Sequence, residues 1–286
     1  MNAIKTTVLL TLLTLLLILA GEYFGGTNGA IIAFAIAAGM NFFSYFYSDK
    51  IALAAYRAQP VTRQQLPRAY EVVERLTAKA RLPMPKIYVI PTDSPNAFAT
   101  GRNPGHASVA VTHGILGLLN DEELEGVLAH ELSHVQNRDI LTSSIAATLA
   151  GAITILARIA YFGALFGGYG GGDRRDREGG GILMLLLAPF AAMLIQLWVS
   201  RTREFEADHT GAQLTGNPYA LASALEKIAA ASKRLPLVAS PNTAHLFIMQ
   251  PLLSGQSLMN LFSTHPPIQQ RIERLIGRPS VSGIVR

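Results

Sequence analysis

Four apolar stretches organise the chain, and each comes close to the roughly 20 residues that a helix needs to cross a bilayer. They comprise residues 4–21, 29–47, 143–166 and 181–200. A short loop at residues 22–28 separates the first two, so the pattern predicts an N-terminal transmembrane hairpin over residues 1–47. A secretory signal peptide is the alternative for the first stretch, with Lys5 as its basic start, but the small residues that cleavage requires are poorly placed.

The distribution of lysine and arginine predicts which side of the membrane each polar segment occupies. Ten basic residues lie between positions 48 and 142, nine follow position 200, and the loop at 22–28 has none. Because basic segments stay in the cytoplasm, both long polar segments and the N-terminus are predicted to be cytoplasmic, in an inner membrane that the chain crosses several times. The glycine-rich loop at 167–181 has three arginines, and Arg158 lies inside the third stretch. These charges leave open whether the last two stretches cross completely.

The composition supports a membrane protein and excludes several other classes. Half of the residues are apolar and 15% are charged, whereas soluble domains have about 25% charged residues. The net charge is +5 without any run of five like charges, so a nucleic-acid partner is not expected. The chain has no cysteine, which excludes disulfides and zinc sites with cysteine ligands.

The polar segments contain signals for both helices and strands. The pattern predicts helices over residues 66–81 and 219–233. It predicts strands over residues 86–90, 96–100 and 107–112. Another helix is predicted to begin after Asn120, where Glu123 completes a capping box. No residue is expected to end this helix before the third apolar stretch.

The first chemical motif, His130-Glu131-Leu132-Ser133-His134, lies on that helix. At positions i and i+4 the two imidazoles share one helical face. This spacing allows both to bind one Zn²⁺, with Glu131 beside the metal. An amphipathic helix whose histidines and glutamate face water is the alternative for the motif by itself.

The second motif follows the fourth apolar stretch at residues 203–208, with the sequence Arg-Glu-Phe-Glu-Ala-Asp. Glu204 and Asp208 also share one face. A catalytic zinc takes three protein ligands, which Glu204 would complete, and Asp208 would be the carboxylate partner of a ligating histidine. Glu206 projects from a different face of the helix than Glu204 and is a poorer ligand candidate. His209 remains an alternative third ligand. For the motif as a whole, the alternative is a charged helix next to the membrane that binds no metal.

These motifs, the hairpin and a late Ser-Thr-His-Pro-Pro sequence together resemble the HtpX family of membrane zinc metalloproteases, which is related to the prenyl-CAAX proteases. The resemblance covers nearly the whole chain. It implies one Zn²⁺ per chain, bound by His130, His134 and Glu204. It also implies that Glu131 is the catalytic base and that Asp208 supports the ligands.

The resemblance assigns two further elements of the site. His265 of the His-Pro-Pro sequence would lie near the site, and we predict that it helps zinc to hold the oxyanion of the reaction. The family's substrate-binding edge strand corresponds to Asn96, Ala97, Phe98 and Ala99. Such an edge binds an extended polypeptide through its backbone, and we expect only one of Ala97 and Ala99 to present its N–H to a substrate.

The expected fold is an α-helical integral membrane protein with a small cytoplasmic α+β zincin-like metalloprotease domain. That domain combines residues 48–142 with residues 201–286, and residues 143–200 add two further membrane helices. The expected function is that of a zinc-dependent endopeptidase that cleaves misfolded or damaged membrane proteins at the cytoplasmic face, as protein quality control under stress. Its partners would be polypeptide substrates and the lipid bilayer.

Three other functions are considered. A membrane transporter or channel would explain the apolar stretches, but it would place charged residues along them, whereas the titratable residues cluster just outside. A non-catalytic membrane scaffold would not need Glu131. A narrow-specificity prenyl-CAAX-type processing protease would need an enclosed chamber, for which four short spans are few. Arg271 and Arg274, beyond the His-Pro-Pro sequence, are expected to be solvated.

Overall fold

The computed structural model describes residues 2–139, 201–234 and 266–277. The third and fourth apolar stretches, with Arg158, the glycine-rich loop and His265, lie outside these residues. The helices are α1 (Asn2–Ala55), α2 (Pro67–Ala80), α3 (His113–Leu118), α4 (Asp121–Gln136), α5 (Arg201–Thr215), α6 (Pro218–Arg234) and α7 (Ile268–Ile276). The strands are β1 (Gln59–Pro60), β2 (Lys86–Ile90), β3 (Ala97–Thr100) and β4 (Ser108–Thr112).

Helix α1 folds back on itself at Gly26, whose φ of 58° and ψ of −150° interrupt the helix. A positive φ of this kind favours glycine. The two halves then lie side by side: a Cβ at Gly21 would overlap the carbonyl of Gly29, and Asn41 Nδ2 donates to Thr14 Oγ1 at 2.9 Å. Residues 22–28 are thus helical around one kink, where the sequence pattern predicts a loop.

One described helix segment, Gly25–Tyr47, is long and apolar enough to cross a membrane. Its mean hydropathy is 1.6, and 12% of it is buried. This segment contains the second apolar stretch of the sequence, residues 29–47.

The sheet has the strand order β1-β2-β4-β3. Strands β2 and β4 are parallel, and β1 and β3 pair with them antiparallel at the two edges. Because side chains alternate along a strand, β3 has two different faces. Phe98 packs against Ala52 and Leu53 at the end of α1, whereas Ala97 and Ala99 belong to the core that includes α4.

Both ends of α4 are set by single residues. Asn120 Oδ1 accepts from the Glu123 backbone N–H at 2.9 Å, and Glu123 Oε2 accepts from the Asn120 N–H at 3.0 Å, so the predicted capping box is confirmed. The prediction that this helix runs on without a break is wrong, because it ends at Gln136 and Arg138 adopts a left-handed conformation with a φ of 58°.

Candidate metal site and active site

Two helices bring three potential metal ligands together. Helix α4 carries His130 and His134, α5 carries Glu204, and one ligand atom from each lies within 4.8 Å of the others. Glu204 Oε2 lies 3.7 Å from His130 Nε2, and Glu204 Oε1 lies 3.5 Å from His134 Nε2. The residues that the sequence motifs predict are therefore assembled in space.

The other ring nitrogen of each histidine faces a carboxylate. His130 Nδ1 lies 2.9 Å from Asp208 Oδ1, and His134 Nδ1 lies 3.5 Å from Asp139 Oδ2. A carboxylate at Nδ1 fixes the ring orientation and leaves Nε2 as the ligand atom. Both Nε2 atoms consequently face the same Glu204 carboxylate.

This donor set fits zinc. Two imidazole nitrogens and one carboxylate oxygen are an established set for a catalytic zinc, and tetrahedral ligands at the usual bond lengths lie about 3.4 Å apart. The separations of 3.5 and 3.7 Å between Glu204 and the two histidines are close to that value.

Glu131 lies within the same buried cluster and has one backbone partner. Its side chain is 4% exposed, and its Oε2 accepts a hydrogen bond from the Ala99 N–H at 3.0 Å. Burial raises the pKa of Glu131 to about 7, and the nearby charge of Glu204 adds to the rise. A carboxylate whose pKa lies near neutrality is well suited to proton transfer as a general base and acid.

The histidines respond differently to their surroundings. Burial and the charge of Arg271 lower the pKa of His130. Burial alone would lower the pKa of His134 as well, but the hydrogen bond to Asp139 and the charge of Glu204 raise it to about 9. Since a histidine must lose its proton to bind a metal, a cation bound here displaces a proton from His134.

Two functional partners were not predicted from the sequence. Asp139 lies just beyond the break that ends α4 at Arg138. Its carboxylate faces His134. Arg203 is buried on α5, with Nη1 3.7 Å from Asp139 Oδ1. The sequence contained only a weak signal for these two residues. Asp139 and Arg203 are charged residues at the borders of apolar stretches, where a buried charge requires a partner.

The comparisons with known proteins agree with this geometry. A model of peptidase family M48 matches residues 63–278. The chain belongs to peptidase family M48. It is therefore a membrane metalloprotease, and zinc is the metal expected for the family.

Two relatives named "Protease HtpX homolog" are similar over almost the whole M48 chain. The one from Desulfatibacillum aliphaticivorans is 56% identical over 284 residues, which are 99% of this chain and 91% of the relative. The one from Syntrophobacter fumaroxidans is 58% identical over 276 residues, which are 95% of this chain and 97% of the relative.

A solved structure shares the fold. The crystal structure of S. mikatae Ste24p matches with a TM-score of 0.55 and 20% sequence identity. The match covers 96% of this chain, which spans 65% of the length of the Ste24p chain.

The alternative third ligand lies apart from the cluster of the M48 site. His209 is exposed, and its Nε2 lies 2.9 Å from the Gln213 side-chain nitrogen. Among the described residues, the group that converges on one position contains Glu204 and not His209. His265 lies outside the described residues, so its predicted contact with the oxyanion stays a prediction.

The structure corrects the expectation for the edge strand. Ala97 N–H is bonded to the Asn96 side chain at 2.9 Å, and Ala99 N–H is bonded to Glu131. The expectation that only one of these two N–H groups faces the free edge of β3 is wrong, because strand residues two positions apart direct their N–H groups the same way.

The expectation for one arginine is also wrong. Arg271, which was predicted to be solvated, is fully buried and donates from Nη2 to Asp208 Oδ1 at 2.6 Å. Helix α7 explains the difference, because Arg271 lies among the apolar residues Ile268, Ile272 and Leu275 on one face. Arg274 is exposed, as predicted, over the Phe205 ring.

Gly211 allows α5 to approach α4 at the metal site. A Cβ at Gly211 would lie 2.9 Å from the His130 backbone nitrogen. Gly211→Ala should therefore separate the helices that carry His130 and Glu204, despite the better helix propensity of alanine. We expect it to lower the free energy of unfolding by about 1–3 kcal/mol and to weaken zinc binding, as measured by denaturant unfolding and by titration against a chelator.

Gly117→Ala is the matched control for this substitution. Gly117 is exposed on α3 with no atom within 4 Å of an added Cβ, so alanine should leave stability unchanged or raise it by up to about 1 kcal/mol. Equal stability and equal zinc affinity in the two variants would show that the close approach of α4 and α5 does not matter.

Proposed function

We propose that this chain is an endopeptidase whose zinc is held by His130, His134 and Glu204 and whose general base is Glu131. The observation that carries the proposal is the convergence of both histidine Nε2 atoms on one Glu204 carboxylate, with Glu131 buried beside them. Zinc bound there would supply a Lewis acid that polarises a carbonyl and acidifies water.

The charges around the histidine pair suit a divalent cation. The buried ionisable groups near the pair, within the described residues, are four carboxylates and two guanidinium groups: Asp139, Glu131, Glu204, Asp208, Arg203 and Arg271. When all are ionised, the carboxylates exceed the guanidinium groups by two negative charges, which a divalent cation balances.

Glu131 performs the proton transfers of peptide hydrolysis in this proposal. Its carboxylate takes a proton from the attacking water and passes it to the amine that leaves. The hydrogen bond from the Ala99 N–H orients one carboxylate oxygen and leaves the other for the proton. Asp208 keeps the His130 ring in its orientation throughout.

The substrate in this proposal is an extended segment of a misfolded or damaged membrane protein, which lies along β3. An edge strand binds such a segment mainly through its backbone and therefore accepts many sequences. Because the Ala99 N–H is bonded to Glu131, the substrate in this proposal pairs with the Ala97 N–H, where it replaces the Asn96 side chain. The proximity of β3 to the membrane hairpin supports this choice. Phe98 packs on Ala52 and Leu53 of α1, and the Arg102 guanidinium lies 5.3 Å from the centre of the Phe46 ring.

Cleavage of one polypeptide in two conformations tests the substrate class. The purified full-length chain with zinc should cut an unfolded membrane-protein substrate at many positions and leave its folded form intact, because only an extended segment can pair with β3. Glu131→Gln protein serves as the control for contaminating proteases. Cleavage at one position only, in both forms, would instead favour a narrow processing protease.

The catalytic segments face the cytoplasm in this proposal, since ten and nine basic residues lie on them. The chain has no cysteine, and Gln64 is exposed, so Gln64→Cys introduces a single accessible thiol. We expect a membrane-impermeant maleimide to label this thiol only after the inner membrane is permeabilised. Labelling in cells with an intact inner membrane would reverse the orientation.

A further inference from the structure

A buried arginine lies behind the candidate metal site. Arg271 is 0% exposed, and among the described residues it is the largest fully buried side chain. It interrupts the apolar face of α7 between Ile268 and Leu275. Since a guanidinium group withdrawn from water is destabilising unless its charge and donors are matched, its partners indicate its role.

The first partner of Arg271 is Asp208, which it binds through two parallel hydrogen bonds. Nε donates to Oδ2 at 2.8 Å, and Nη2 donates to Oδ1 at 2.6 Å. This two-pronged contact fixes a carboxylate in position and in rotation. Because Asp208 Oδ1 also lies 2.9 Å from His130 Nδ1, the orientation of the His130 ring depends on Arg271.

The second partner is Glu204. Arg271 Nη1 lies 3.7 Å from Glu204 Oε2, the same oxygen that lies 3.7 Å from His130 Nε2. One guanidinium group thus contacts both carboxylates that α5 contributes to the site. Through Arg271, helix α7 thereby fixes the position of α5 relative to His130 on α4.

We propose that Arg271 is a positioning residue of the metal centre, which holds Asp208, the His130 ring and Glu204 in the arrangement that binds the metal. The inference rests on the proposed function, because it requires His130 and Glu204 to be metal ligands. Arg271 acts through these side chains and touches no reacting atom.

Arg271→Lys separates the geometry of the guanidinium group from its charge. Lysine keeps the positive charge, and with it the repulsion of the metal, but its compact ammonium group cannot hold both oxygens of Asp208 in one plane. Loss of a partner behind a ligating histidine weakens metal binding by about 10–100-fold. We expect a loss of this size in the zinc affinity of the full-length Arg271→Lys protein, titrated against a chelator.

Arg274→Lys is the matched control. Arg274 lies on the same helix, is exposed, and contacts the Phe205 ring at 3.8 Å from its centre. Its substitution should leave zinc affinity at the wild-type value. Equal affinities in Arg271→Lys, Arg274→Lys and wild type would overturn the inference, even if Arg271→Lys unfolds at a lower temperature, because that pattern describes a purely structural arginine.

A double variant tests whether Arg271 acts through Asp208. Asp208→Asn alone and Arg271→Lys alone should each weaken zinc binding. Their combination should weaken it by less than the product of the two factors, because the substitutions disrupt one chain of contacts. A loss equal to that product would overturn the claim that Arg271 acts through Asp208 and would leave Glu204 as the side chain through which it acts.

Two further measurements cover the remaining outcomes. If Arg271→Lys does not fold, Arg271→Gln is titrated with Co²⁺, whose visible absorption reports ligand geometry. A changed spectrum supports the inference, and a wild-type spectrum overturns it. Glu204→Ala distinguishes failure of the metal site from failure of the Arg271 role. Wild-type zinc binding in that variant overturns the metal site itself. Zinc loss there, together with wild-type affinity in Arg271→Lys, overturns only the role of Arg271.

Discussion

Glu131→Gln should abolish nearly all peptidase activity and leave zinc bound. Glutamine has almost the same shape as glutamate, and its carbonyl oxygen can still accept the Ala99 N–H, so the site should remain assembled. Glutamine cannot take up a proton, however, and general acid–base catalysis contributes about 10²–10⁴-fold to the rate of such reactions. We expect kcat to fall by at least that factor, while metal analysis gives the same zinc content as wild type.

Glu206→Gln is the control for this variant, because Glu206 is an exposed glutamate on α5, next to the site in sequence but not part of it. It should retain wild-type kcat. Turnover close to wild type in zinc-loaded Glu131→Gln would exclude Glu131 as the general base.

Glu204→Ala should remove both zinc and activity. Three protein ligands hold a catalytic zinc, and this substitution deletes the only carboxylate among them. The loss of zinc affinity should exceed the roughly 10–100-fold that follows from changing a partner outside the ligand set. Affinity measured by chelator competition and peptidase activity should therefore fall together.

His209→Ala is the matched comparison for the third ligand. His209 is exposed on the same helix as Glu204, at a position where the sequence alone allows a ligand. Its substitution should leave zinc affinity unchanged. Retention of zinc in Glu204→Ala together with loss of zinc in His209→Ala would show that the third ligand is misassigned.

The main cluster of the site could be predicted from sequence because its members come in pairs on single helices. His130 and His134, like Glu204 and Asp208, are four residues apart, and that spacing fixes a common face without any knowledge of tertiary structure. The start of α4 was predictable for the same reason, since the Asn120–Glu123 capping box depends only on local geometry.

The supporting residues could not be predicted because they depend on how separate segments pack. Asp139 contacts His134 from beyond a helix break at which Arg138 adopts a left-handed conformation, and the sequence has no glycine there to indicate the break. Arg271 arrives from α7, more than sixty positions beyond Asp208. One signal was present in the sequence: an arginine in the middle of an apolar helix face requires a buried partner.

The order of the strands was also beyond local signals. The sequence indicates strands near the observed positions. The placement of β4 between β2 and β3 depends on how the segments pack in the tertiary structure. The consequence for function is large, because this order leaves β3 at the edge of the described sheet and directs the Ala99 N–H to Glu131.

The most direct test of the central claim is anomalous X-ray diffraction at the zinc edge from crystals of the full-length, zinc-loaded protein. We expect one strong anomalous peak per chain, at about 2.0–2.2 Å from His130 Nε2, His134 Nε2 and a Glu204 oxygen. A zinc peak that lies away from these three side chains, or the absence of any peak at them in zinc-loaded crystals, would contradict that claim.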